Sequence, residues 1–148
     1  MADLTIRPIE PGDRAAWQPL WAGYLSFYET TVAPDVTEFT WKRLTSSGGV
    51  SGLLAIGAAG DAVGLVHFVF HPTTWSMGGS CYLEDLFVAP AARGQRVGRR
   101  LIAAVAEAAK ANGATAVYWQ TEEFNATARR LYERVAKRSP FIRYQIDL

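Results

Sequence analysis

Arg93, Gly94, Gln95, Arg96, Val97, Gly98 and Arg99 stand in a row between an apolar run and an alanine-rich one, and these residue types at this spacing suit a phosphate. Gly94 and Gly98 permit backbone turns closed to other residues and a close approach by a ligand, so consecutive N–H groups can point at one anion. A helix opening at Val97 would add its free N–H groups and its dipole, with mobile charge from Arg93, Arg96, Arg99 and Arg100. Residue type narrows the ligand. Val97-Gly98-Arg99 lacks the Lys and the hydroxyl that reach a terminal phosphate and magnesium, and Leu101 stands where a dinucleotide fingerprint needs its third Gly. What remains is a diphosphate held without metal; the plainer alternative is a basic surface loop at a strand-to-helix turn.

Proton chemistry has candidates on either side of that loop. Glu84 and Asp85 interrupt the apolar run 80–88. Strict strand alternation puts Tyr82, Glu84 and Leu86 on one face and Leu83, Asp85 and Phe87 on the other, so only one carboxylate faces a given cleft. We take Glu84 as the base and Asp85 as a strand-end carboxylate bonded to a loop N–H. Tyr132 follows Asn125 by seven residues. That is close to two helical turns, about 10 Å, and sets both on one helix side where they can line an extended ligand. A positioned phenol can protonate a leaving group. Asn125 also reads as a helix N-cap, and Tyr132 as core on the stripe Ala128, Leu131, Tyr132, Val135. His67 and His71 share a strand face without a third ligand nearby for zinc, and read as satisfied strand histidines. Cys81, the single cysteine, reads as small core filler.

At these residues the chain resembles the GNAT superfamily of N-acetyltransferases. The acetyl-CoA loop of that family follows the pattern Arg/Gln-x-x-Gly-x-Gly/Ala; Arg93 and Gly98 match its ends, and Arg96 replaces its first Gly. HFVFHPTTW at 67–75, VYWQTEEFNATARRLYERV at 117–135 and WQPLWAGYLSFYE at 17–29 resemble the Hpa-type histone and polyamine branch, and YLEDLFV at 82–88 resembles diamine acetyltransferases. The resemblance implies direct acetyl transfer from acetyl-CoA to an amine, without metal or covalent enzyme intermediate. It implies Tyr132 as general acid, Asn125 on the pantetheine, Glu84 at the position that meets the amine, and backbone pairing of Leu86, Phe87 and Val88 with the pantetheine amides. The loop from Arg93 to Arg99 would hold the diphosphate. A homodimer is implied as well.

The acceptor is read from charge. Residues 1–90 carry nine Asp/Glu against four Lys/Arg, and residues 91–148 carry eleven Lys/Arg against five Asp/Glu. A basic half suits a polyanionic substrate and an acidic half a cationic one. Nucleic acid is disfavoured, since the Arg cluster is one loop and helix start without a broad basic face. Tyr28 and Glu29 are the expected acceptor contacts, an aromatic face beside a carboxylate suiting an alkylammonium. We expect a small cationic, polyamine-like amine, with protein lysine or an amino acid as alternatives, and a non-catalytic acyl-CoA-binding regulatory domain as the rival from another class.

These residues need a scaffold, and the pattern supplies one. Leu4–Pro8, Leu53–Ile56, Ala62–Phe70, Ser80–Val88, Thr115–Gln120 and Phe141–Ile146 read as strands, with Thr115–Gln120 buried. Arg14–Tyr28, a short segment opened by Pro34, Val97–Ala111 and a segment capped by Asn125 and reaching about Lys137 read as helices. The fold class is α+β: a GNAT-like mixed, mainly antiparallel sheet with helices on both faces. Residues 1–148 read as one N-acetyltransferase domain, soluble and cytoplasmic, since no run of about eighteen apolar residues occurs.

Overall fold

A computed structural model describes residues 3–148. In chain order the elements are β1 (Thr5–Pro8), α1 (Arg14–Phe27), α2 (Pro34–Leu44), β2 (Ser51–Ile56), β3 (Ala62–Thr73), β4 (Ser76–Val88), α3 (Val97–Ala111), β5 (Val117–Tyr118) and α4 (Ala126–Val135). The strands form one sheet in sequence order, antiparallel at every step except the last, where β4 and β5 run parallel. The expected mixed, mainly antiparallel sheet is present. Local chemistry accounts for its corners. The β2–β3 turn closes through the Gly57 N–H donating to the Asp61 carbonyl at 2.8 Å, with Gly60 at a φ of 87° open to glycine. Alanines favour α3, and Gly113, also left-handed at 81°, ends it.

The sheet separates two apolar clusters. On one face Val66, Phe68, Cys81 and Leu83 pack against Val97, Leu101 and Val105 of α3, with Leu131 and Tyr132 of α4 beside them. On the other, Leu54, Leu65 and Phe87 pack against Trp17, Leu20 and Trp21 of α1 and Trp41 and Leu44 of α2. Trp17 is fully buried and stacks on Trp21 at 5.8 Å. Truncating such an indole to Ala costs about 3–5 kcal/mol. Cys81 is core filler, as expected, its thiol pushed up to about 11 by burial. Among the described residues, no helix is long and apolar enough to cross a membrane.

Three expectations need correction. Strict alternation along β4 fails because consecutive residues of β3, His67 and Phe68, pair with Asp85 and Leu83, which leaves Glu84 as the extra residue of a bulge. Beyond it the faces exchange: Leu83, Leu86 and Val88 share the α3 side, while Phe87 turns to α1. The segment 115–120 is not a buried strand. Only Val117 and Tyr118 pair, and Tyr118 is exposed at a sheet edge. Phe141–Ile146 forms no strand, because β5 is two residues long and bonds to β4 alone; Phe141, Ile142, Tyr144 and Ile146 stay exposed.

Candidate active site

The pairing of β4 with β5 stops at Tyr82, immediately before the Glu84 bulge. From there the two strands part, and the gap between them is a cleft of about 310 Å³. Tyr24 lines it from α1 and Tyr28 from just past its end, Glu84 and Leu86 from β4, Trp119 and Glu122 from the segment after β5, Tyr132 from α4 and Arg143 from the tail. Three separately chosen residues, Glu84, Tyr132 and Tyr28, thus meet in one cavity. Glu29 does not join them. It follows α1 in a left-handed conformation, φ 51°, outside the cleft lining.

Burial controls the acidities here. The Tyr132 hydroxyl is pushed up to about 12, chiefly by burial and further by Tyr28. Glu84, solvent-exposed though it is, is raised above its ordinary value by partial desolvation and by the neighbouring Asp85 charge, against the opposing pull of Arg43. Tyr28 and Tyr24 are raised mainly by burial too, Tyr24 further by the carboxylate of Asp85.

Asp85 is not bonded to a loop N–H. The bulge aims it at α1, where its Oδ2 lies 2.9 Å from Nδ1 of His67. The other ring nitrogen, Nε2, accepts from the indole N–H of Trp17 at 3.0 Å. His67 is therefore a satisfied histidine, as expected, but its partner is a carboxylate at the edge of the cleft. His71 bonds to the Pro72 carbonyl and to the Tyr118 hydroxyl, at 2.8 and 2.7 Å. Trp119, Glu122, Arg143 and the His67–Asp85 pair were not anticipated as parts of the site. Their contacts join residues tens of positions apart, and no local pattern announces them.

The loop before α3 has the shape of an anion site. Gly94 and Arg96 both take left-handed conformations, at φ 81° and 64°, so the position where the GNAT pattern has Gly does require that backbone here, and Arg96 supplies it at a steric cost. α3 starts at Val97 with no side-chain cap and no acidic residue in its first turn. Its first internal bond runs from the Arg100 N–H to the Arg96 carbonyl at 3.0 Å, which leaves the N–H groups of Val97, Gly98 and Arg99 ahead of it. A Cβ on Gly98 would meet Leu131 at 3.6 Å and Val88 at 3.8 Å, ordinary contacts, so the protein's own packing does not demand glycine there. Arg93 is occupied differently: its Nε donates to the Val88 carbonyl at 3.1 Å, and its guanidinium lies 5.6 Å from the Phe87 ring centre. Gln95 reaches back to the Ala91 carbonyl at 3.4 Å. Leu86, Phe87 and Val88 lie on the stretch of β4 beyond its pairing with β5. Asn125 caps α4, its Oδ1 accepting from the Ala128 N–H at 3.4 Å and its Nδ2 donating to Thr121 at 3.2 Å.

The Acetyltransferase (GNAT) family matches residues 15–136. The chain belongs to this family. It is similar to the D-amino-acid N-acetyltransferase HPA3 of Saccharomyces cerevisiae, 36% identical over 144 residues that make up 96% of this chain and 89% of that protein. A shorter likeness, 36% over 75 residues, links 51% of the chain to 42% of the thialysine N-epsilon-acetyltransferase of Sus scrofa. Among solved structures, AAC(6')-Iy in complex with the bisubstrate analog CoA-S-monomethyl-acetylneamine superposes with a TM-score of 0.78 at 18% identity, covering 97% of this chain and 99% of that one, a likeness of fold. The GNAT chain described here is accordingly an N-acetyltransferase, and the donor used by this fold is acetyl-CoA.

Proposed function

We propose that the protein moves an acetyl group from acetyl-CoA directly to the primary amine of a small molecule, with amino acids as leading acceptors. The observation that carries the reading is the cleft where β4 leaves β5, lined by both Glu84 and Tyr132. Acetyl-CoA supplies a thioester whose C–S bond breaks as the amine nitrogen forms its C–N bond. The chain's residues do the rest. The open N–H groups at the start of α3, with Gly94, Gln95, Arg96 and Arg99, take the diphosphate, Arg93 bracing the loop against Val88. The free edge of Leu86, Phe87 and Val88, with Asn125, takes the pantetheine. An ammonium must lose a proton to attack, and Glu84, raised above its ordinary value by partial desolvation and by Asp85, is a better acceptor for it than an unperturbed carboxylate, directly or through water. Tyr132, at about 12, keeps its proton at neutral pH and gives it to the departing sulfur, which leaves as the CoA thiol, and the proton shed by the new amide nitrogen restores the phenol.

Arg143 favours an amino acid. Its guanidinium shares the cleft with Glu84, held by Gln120 at 2.6 Å, and can pair a carboxylate while Glu84 and Tyr28 meet the ammonium. The relative named for D-amino acids points the same way. A polyamine-like cation is the second reading, supported by Glu84 and Glu122 in the cleft and Asp85 beside Glu84, next to aromatic walls. Thiol release is to be followed with D- and L-amino acids, thialysine, spermidine and lysine peptides at ionic strengths of about 0.01 and 0.15 M. Amino-acid turnover insensitive to salt is expected. Spermidine as the best substrate at low salt, falling several-fold with salt, would install the second reading; CoA binding without turnover of any amine would leave a non-catalytic domain. We also propose that 1–148 acts as one cytoplasmic domain and that two copies pair through the exposed tail after α4.

A further inference from the structure

One buried polar cluster, Trp17, His67 and Asp85, touches none of the reacting groups named above. His67 is 1% exposed, with Trp17 on its Nε2 and Asp85 on its Nδ1. An indole nitrogen only donates, so Nε2 must accept, and the proton of the neutral ring sits on Nδ1, donated to Asp85. A doubly protonated ring would set two N–H groups against each other at Trp17. Trp17 is fixed among Trp21 and Trp41, at 5.8 and 5.0 Å, and cannot turn away. Asp85 faces Tyr24 as well as adjoining Glu84. Trp17 and Tyr24 lie seven residues apart on α1, two turns along one helix face. Hydrogen bonds therefore run from α1 at Trp17 through His67 of β3 to Asp85 at the β4 bulge, with Tyr24 of α1 close enough to feel the Asp85 charge.

We propose that His67 is a positioning residue for the acceptor half of the reaction: with its tautomer set by Trp17, it fixes the Asp85 carboxylate between Glu84 and Tyr24 and so ties the bulge to the aromatic wall that meets the amine. This rests on the acetyltransferase reading above. Without its donor, the Asp85 carboxylate turns away from His67. That displaces a fixed negative charge from beside Glu84 and Tyr24. The loop proposed for the diphosphate follows the end of β4 at Val88, beyond the bulge, so acetyl-CoA binding is expected to hold.

Nitrogen-15 NMR of the histidines in the wild-type protein reads the tautomer without any variant: Nδ1–H is expected for His67, and Nε2–H would overturn the proposal. Steady-state kinetics supply the second test. His67→Leu should lower kcat/KM for the amine roughly tenfold to a hundredfold, the scale of a small misplacement at a reacting centre, with KM for acetyl-CoA unchanged. His67→Asn, whose amide can donate to Asp85 from near the place of Nδ1, should recover most of that loss. Losses of equal size for amine and acetyl-CoA, falling in step with melting temperature in both variants, would reduce His67 to a core residue. Absence of thiol release from the wild-type control with every amine would sink the acetyltransferase reading and this proposal together, whereas failure of the proposal alone appears only in the tautomer or among the variants.

Discussion

Trp119 and Tyr132 meet edge to face, ring centroids 5.5 Å apart and planes at 72°. The contact braces a phenol of α4 against the segment leaving β5, so the hydroxyl is held at the cleft by packing alone.

Tyr132→Phe keeps that packing and removes the hydroxyl. The kcat is expected to fall roughly 10²–10⁴-fold, the range of general-acid assistance, with KM for acetyl-CoA nearly constant. Thiol release at saturating amine measures it, and a variant at wild-type rate would assign Tyr132 to the core.

Glu84→Gln tests the base by pH. The carboxyl is raised by partial desolvation first and by Asp85 second, so kcat/KM should climb with pH through a value above its ordinary one, and the variant should lose that limb. Stability moves in the opposite sense. A carboxyl that holds its proton more tightly in the folded state stabilises the fold below its unfolded value, and that contribution is lost as pH rises through the folded one. Glu84→Gln should therefore melt higher than wild type at neutral pH and equal to it in acid, a difference that thermal scans across pH will follow.

The anion loop gives a paired prediction. Gly98→Glu places bulk and like charge in the first turn of α3, where a Cβ meets only Leu131 and Val88 at ordinary distance. CoA affinity by calorimetry should collapse while the melting temperature holds. Arg96→Gly relieves a left-handed Arg, about 1 kcal/mol or more, against a backbone entropy cost of roughly 0.5–1 kcal/mol for Gly, so stability should stay near wild type. CoA should bind a few-fold more weakly for want of one cation. Unchanged affinity in both variants would remove the loop from the site.

Light scattering at micromolar concentration should report a two-fold dimer, because a tail with Phe141, Ile142, Tyr144 and Ile146 all exposed has apolar area to bury and β5 has an open edge. Removing residues 141–148 should yield monomers. A monomeric mass for the intact, active chain would defeat the pairing.

What could be read from the chain was whatever is local. Val97–Ala111 was legible to the residue because an alanine-rich amphipathic run ends in Asn112-Gly113, and the α+β class followed from alternating patterns bounded by turn residues. Glu84 and Tyr132 could be picked out separately by residue type, and one cleft holds both. The bulge was not, since a period-two pattern carries no mark of one inserted residue until its partner strand is in register. His67 and Trp17 lie fifty positions apart, and their bond exists only after α1 has packed on the sheet. The misread tail alternates well enough for a strand, but pattern alone cannot supply a neighbour to pair with.

Two apolar clusters separated by one sheet have an evolutionary corollary. Side chains around Trp17, Trp41 and Phe87 repack without touching those around Leu101 and Val105, since only backbone lies between. Substitutions on opposite faces should add in free energy, whereas neighbours within a face should not. Amine preference can then drift through α1 and α2 over many generations while the α3 layer, whose start carries the proposed diphosphate loop, stays as it was.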